Sequence, residues 1–154
     1  MSETVIVKSC VDGEITTLQQ VKDPVFAQRI AGDGVAITPS STQFVAPISG
    51  ELKMLFNGLH AFVIETQEGL YILVHIGTNT LALGGKGFMA HKHQGDMVNA
   101  GDLIISVDSE MMKDPSIDYT TVVLMMNNRP FRSIDKAPLG DCVAGETTIL
   151  SITT

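Results

Sequence analysis

Turn-forming residues punctuate the chain at short, regular intervals, and this rhythm confines it to a β-rich fold. The clusters are Val11-Asp12-Gly13, Ala31-Gly32-Asp33-Gly34, Pro39-Ser40-Ser41, Pro47-Ile48-Ser49-Gly50, Gln67-Glu68-Gly69, Gln94-Gly95-Asp96, Asn99-Ala100-Gly101-Asp102 and Ala144-Gly145-Glu146. Between them lie short β-branched or alternating runs such as GVAIT, AFVIET, LYILVHI, DLIISV and TTILSIT. Strands at this spacing predict an all-β antiparallel sandwich or barrel. Helical period is nearly absent. The exceptions are Asp23 to Ala31, with Asp23 as N-cap and Pro24 at the first helical position, and Ser109 to Asp114. A chain of 154 residues is expected to form a single domain over 1–154 with one sizeable core.

Charge narrows the function. A net charge of −7 argues against a nucleic-acid binder, which needs a basic footprint to neutralise phosphates. Cys10 and Cys142 have no metal-type spacing, so two buried free thiols in a reducing cytoplasm are expected. No apolar run reaches the ~18 residues of a membrane span, and the first residues lack a signal-peptide pattern. The chain is expected to be cytoplasmic and not membrane-embedded.

One titratable group interrupts an apolar run: His75, in LYILVHI. Reading LHAFVIETQEGLYILVHIGT as a hairpin with a two-residue Gln67-Glu68 loop pairs Thr66 with Gly69 and His60 with His75. Directly opposed residues share a face, with Cβ atoms ~4.5–5.5 Å apart. In this register His60, Phe62 and Ile64 share a face with Tyr71, Leu73 and His75, while Ala61 and Val63 share the other with Ile72 and Val74. A bulge at Gly69 would alter the pairing. Two facing imidazoles repel as cations, so one ring is expected to stay neutral near neutral pH, as a nucleophile, metal ligand or general base.

The segments DPVFAQRIAGDGVAITP, VAPISGELKMLF, HAFVIET, LVHIGTNT, GKGF and VNAGDLI, in this order, resemble the glucose-type enzyme IIA domain of the bacterial sugar phosphotransferase system. The likeness runs from about Val11 to Ile152. It implies that His75 accepts a phosphoryl group on Nε2 from the phosphocarrier protein HPr and passes it to a cysteine of a sugar-specific IIB domain. His60 is then the partner that stabilises the phosphoryl group. The resemblance also implies a shallow apolar docking surface at Val25, Phe26, Phe56 and Leu73, with Asp23 at its rim and Asn79 nearby. No cofactor is required by this chemistry. Regulatory protein targets are a further class of partner.

Two positions depart from the family pattern. Gly58 stands where a threonine often lies two residues before the first histidine, and Asn79 where an aspartate often follows the second. What orients the histidines is therefore left open by the sequence.

Two rival readings have specific signals. A zinc-dependent β-rich hydrolase would use the His-x-His spacing of His91 and His93, but the His-x-x-x-Asp pair it needs is absent: Ile64 lies four residues after His60 and Asn79 four after His75. A non-catalytic regulatory binding module would use the histidine face only for docking. His60 and His75 could hold Zn2+ with a further ligand from a partner. The Gly84-Gly85-Lys86-Gly87 segment lacks phosphate-loop spacing and reads as a turn. The Gly-Asp rhythm of HQGDMVNAGDLIISVD resembles biotinyl and lipoyl carrier domains in turn chemistry, but Met111-Met112-Lys113-Asp114 is a poor match to their modified lysine hairpin.

Overall fold

The computed structural model describes residues 3–127 and 129–154. In chain order the strands are β1 (Thr4–Lys8), β2 (Gly13–Thr16), β3 (Gly32–Pro39), β4 (Gln43–Val45), β5 (Gly50–Leu55), β6 (Ala61–Glu65) and β7 (Tyr71–Ile76). They continue as β8 (Phe88–Ala90), β9 (Met97–Val98), β10 (Leu103–Val107), β11 (Thr121–Met126), β12 (Ser133–Lys136), β13 (Gly140–Cys142) and β14 (Thr148–Thr153). Two single-turn helices, α1 (Pro24–Ala27) and α2 (Ser109–Met112), fall within the two expected helical segments. Two 3-10 turns, Leu18–Gln20 and Thr80–Leu83, add to them.

An eight-stranded sheet runs in the order β13-β2-β3-β11-β7-β6-β5-β9, beside two three-stranded sheets, β4-β10-β8 and β1-β14-β12. Every pairing is antiparallel. The sheets are open, so the sandwich half of the expectation holds and no closed barrel forms among the described residues. Period-two alternation gives the large sheet two apolar faces. One face supplies Phe62, Ile64, Ile72, Val74 and Val123 to the main core, which also contains Phe44, Ile104 and Ile149. The other gathers Ala36, Ala61, Val63, Leu73, Val122 and Leu124 under Leu18, Val21 and Phe26.

The β6–β7 hairpin differs from the predicted register by one residue. Ala61 faces His75, Phe62 faces Val74 and Val63 faces Leu73. The loop holds three residues, because Thr66 N–H donates to the Leu70 carbonyl at 2.9 Å and Gly69 takes a left-handed φ of 84°. A turn closed by a left-handed glycine is the commonest three-residue hairpin loop. The slip moves Phe62 and Ile64 to the opposite face from the one predicted, and aligns Ala61 and Val63 with Leu73 and His75.

Helix α1 starts as predicted. The Asp23 side chain accepts from Val25 N–H at 3.0 Å, and Pro24 occupies the first turn. It ends earlier than Ala31, in a Schellman motif: Ile30 N–H donates to the Val25 carbonyl and Arg29 N–H to the Phe26 carbonyl. Arg29 takes the left-handed position at φ 59° that glycine usually fills. Cys10 and Cys142 are buried free thiols, as expected. Burial pushes the Cys10 thiol far up, with Cys142 adding to the effect.

Candidate functional site

His75 lies near the end of β7, which is bonded to β6 on one side and β11 on the other. Its Nδ1 is 2.8 Å from the Gly77 carbonyl oxygen. A carbonyl can only accept, so Nδ1 carries the proton and, in the neutral ring, the lone pair is on Nε2. Gly77 can present its carbonyl this way because it has φ 83°. A Cβ there would lie 2.4 Å from Thr80 Cγ2 and 2.6 Å from the Asp118 carbonyl oxygen. The following loop is held by Thr80 Oγ1 donating to the Ile76 carbonyl and Gly77 N–H to the Thr120 carbonyl. Thr78 Oγ1 and Thr120 N–H both donate to the Asp118 carboxylate. Burial raises the Asp118 pKa, but hydrogen bonds from Thr120 and Thr78, with the Lys22 charge, outweigh it and hold the carboxyl below its usual range.

The Gly77→Ala variant is therefore expected to lose about 1–3 kcal/mol from backbone strain, the range for a residue forced into a sparsely populated region, with steric overlap added to it. Urea unfolding checks this. An unchanged midpoint would show that the loop has room for a methyl group.

His60 reaches His75 by a route that the hairpin register does not supply. It precedes β6, and Leu59 takes a left-handed φ of 60°. The chain thus turns into the strand at this point, while the His60 carbonyl still accepts from Ile76 N–H at 2.7 Å. The two imidazole centroids lie 5.1 Å apart with the rings nearly edge to face. The predicted proximity of the pair is present, although they are not directly opposed. Phe26 packs on His75 at 4.9 Å, and Phe56 on His60 at 5.5 Å. Four rings form a row with the histidines at its centre.

His60 is 3% exposed, and its Nδ1 has no hydrogen-bond partner among the described residues. The ring packs so close to Gly58 that a Cβ on that glycine would sit 2.8 Å from Nδ1. Burial lowers the His60 pKa, and the Gly58 backbone raises it only in part. Burial also lowers the His75 pKa, with His60 adding to the effect, while the Gly77 carbonyl and the Asp23 carboxylate oppose it.

A pH dependence follows with a definite sign. Both rings have folded pKa values below the unfolded value of 6.5, so the unfolded chain binds more protons between those limits. Stability from this source is complete above about pH 6.5 and is lost as pH falls through the lowered folded values. Urea midpoints measured across this range should fall with pH less steeply in a His60→Gln, His75→Gln double variant than in the parent. Equal slopes would contradict the burial of neutral rings.

The expected docking residues divide into two groups. Val25 is 44% exposed, Asn79 is exposed, and Phe56 and Asp23 are half-buried. Phe26 and Leu73 are only 6% and 5% exposed, so they form the floor under the histidines and leave little area for a partner. Asn79 takes a left-handed φ of 58° ahead of the 3-10 turn. Its side chain does not cap that turn. The supporting residues Leu59 and Asp118 were not singled out from sequence. Leu59 carries no local signal, whereas Asp118 followed two residues later by Thr120 is the pattern of a side chain closing an Asx turn.

His91 and His93 make separate polar contacts. His91 Nε2 lies 2.8 Å from Ser106 Oγ. His93 opens a turn in which its N–H donates to Asp96 Oδ2 at 2.8 Å, and Asn99 and Asp102 repeat the device at 2.8 Å. No group of three or more His, Cys, Asp or Glu side chains suited to a metal occurs among the described residues. His60 and His75 supply at most two ligands of a four-coordinate zinc shell.

Open antiparallel sheets, a central imidazole pair and an apolar rim define a small β-sandwich that presents its chemistry at the surface. The profile of the phosphoenolpyruvate-dependent sugar phosphotransferase system, EIIA 1, matches residues 5–131. A glucose-specific EIIA component of the phosphotransferase system from Oceanobacillus iheyensis is 36% identical over 142 residues, spanning 92% of this chain and 86% of that protein. A glucose-specific EIICBA component from Streptococcus pneumoniae is 39% identical over 146 residues, 95% of this chain and 20% of that longer protein. The solved structure of glucose permease IIA from Mycoplasma capricolum superposes with a TM-score of 0.87 at 36% identity, covering 97% of this chain and 96% of the other. The chain belongs to the EIIA 1 family of the sugar phosphotransferase system, and is a phosphotransferase component of that system.

Proposed function

We propose that His75 is the phosphoryl acceptor of this relay, that phosphorylated HPr is its donor, and that the group passes on to a cysteine of a IIB domain. The observation that carries this reading is the 2.8 Å contact between His75 Nδ1 and the Gly77 carbonyl oxygen, which leaves Nε2 as the nucleophile. The Nε2 lone pair attacks phosphorus in line as the bond from phosphorus to the donor breaks, and the ring becomes cationic. The Gly77 carbonyl and the nearby Asp23 carboxylate both favour that cation. His60 supplies a ring N–H to the phosphoryl oxygens, so catalysis rests on positioning and charge stabilisation. Onward transfer reverses the sequence: the IIB thiolate attacks phosphorus, and the His75 N–P bond breaks.

Val25, Phe56 and Asn79 form the exposed part of the docking surface, with Asp23 at its edge. Such a surface suits two partners that bind in turn. The glucose named in the relatives is the sugar we assign to the system. The IIC, IIB and IIA parts named together in the Streptococcus relative support a permease IIB domain as the onward partner. Two buried thiols fit the reducing cytoplasm, where we place the chain. No helix among the described residues is long and apolar enough to cross a membrane. The proposed chemistry needs no cofactor. A zinc ion held by His60 and His75 would draw its remaining ligands from a docked partner.

The test is incubation with phosphorylated HPr, followed by peptide mapping. The label should be acid-labile, alkali-stable and confined to the His75 peptide. A label on His60, His91 or His93 would overturn the assignment.

A further inference from the structure

Asparagine occurs five times in the chain, and only Asn57 precedes a glycine. That dipeptide occupies the turn between β5 and β6, where Leu59 N–H donates to the Phe56 carbonyl at 2.8 Å. Asn57 is exposed. Among the described residues neither its side-chain amide nor the Gly58 N–H has a hydrogen-bond partner, so neither group is held back by one. Gly58 has no side chain to obstruct approach to its nitrogen. The same glycine lies against the His60 ring.

We infer that Asn57 is a site of spontaneous covalent modification, at which the Asn57-Gly58 turn converts to aspartate and isoaspartate and alters the setting of His60. The Gly58 amide nitrogen attacks Asn57 Cγ. The new N–C bond closes a five-membered imide, the Cγ–Nδ2 bond breaks, and ammonia leaves with the amide proton. Water then opens the ring at either carbonyl, giving aspartate or isoaspartate. Water is consumed and ammonia released, with no oxidant or enzyme needed. Both products place a carboxylate three residues from His60, and isoaspartate also adds a methylene to the main chain just before Gly58. Because Gly58 already touches the His60 ring, that added length cannot be absorbed without moving one of them. Any consequence for transfer rests on the proposed relay, whereas the bond chemistry does not.

The test ages the folded protein in warm, mildly alkaline buffer and maps its peptides over time. The Asn57 peptide should gain about one dalton and accept methyl label from an isoaspartyl methyltransferase, severalfold faster than the peptides containing Asn79 and Asn99. The Asn57→Gln protein should show no gain at that peptide. Conversion at Asn57 no faster than at Asn99, or conversion seen only in urea, would overturn the proposal. In an Asn57→Asp variant the NMR titration of His60 should shift to higher pH. The absence of any shift would sever the link to His60. Neither readout uses HPr or phosphoryl transfer, so failure here is distinct from failure of the relay.

Discussion

Phosphorylated HPr is expected to leave a His75→Ala variant entirely unlabelled. The acceptor atom is removed, and no nearby group replaces it. The neighbouring His60 is buried and has its own Nδ1 facing Gly58. Its Nδ1 makes no geometric hydrogen bond among the described residues, whereas that of His75 is held 2.8 Å from the Gly77 carbonyl oxygen. The fold should survive the change, because His75 is only half-buried and β7 is bonded on both sides. A circular dichroism spectrum matching the parent would separate loss of chemistry from loss of structure. Full labelling of the variant would move the acceptor elsewhere.

The second large effect concerns His60. A His60→Gln variant should still accept phosphoryl from HPr but pass it on more slowly, by roughly 10²–10⁴-fold, the contribution of a positioned titratable group that glutamine cannot replace. Glutamine keeps an N–H but loses the imidazole. A phosphoryl dianion on His75, whose ring centroid lies 5.1 Å from that of His60, should also raise the pKa of that histidine, since an opposite charge favours the protonated form. Single-turnover transfer to a IIB domain measures the rate, and an NMR titration of the phosphorylated protein measures the shift. Parental onward transfer by the variant would reduce His60 to a packing residue.

Much of this site was legible in the sequence because its strands are bounded by strong turn chemistry. The Gly-Asp pairs at Gly95-Asp96 and Gly101-Asp102 do close turns, and Asp23-Pro24 does open a helix. The histidine pair was also legible, but the register used to reach it was not correct. Gln67-Glu68-Gly69 closes as three residues, and one residue reverses the faces of a whole strand. His60 and His75 meet because Leu59 adopts a left-handed conformation, which costs a leucine energy and leaves no trace in composition. The Schellman end of α1 was hidden for the same reason, since Arg29 stands where glycine would have announced it. Resemblance to a family placed Phe26 and Phe56 on a docking surface around the histidines, and in the structure both rings pack against them.

The two histidines are mounted differently. His75 belongs to an interior strand whose backbone is bonded on both edges, whereas His60 stands at the end of a turn that contains a glycine and a left-handed leucine. In the proposed relay the attacking nitrogen is thus mounted on the sheet, and its companion ring on a turn. The proposed relay, which meets two partners in turn, can then adjust the charge around the phosphorus without relocating the atom that attacks it. Amide exchange should report this asymmetry, with slow exchange at Val74 and His75 and fast exchange at Gly58.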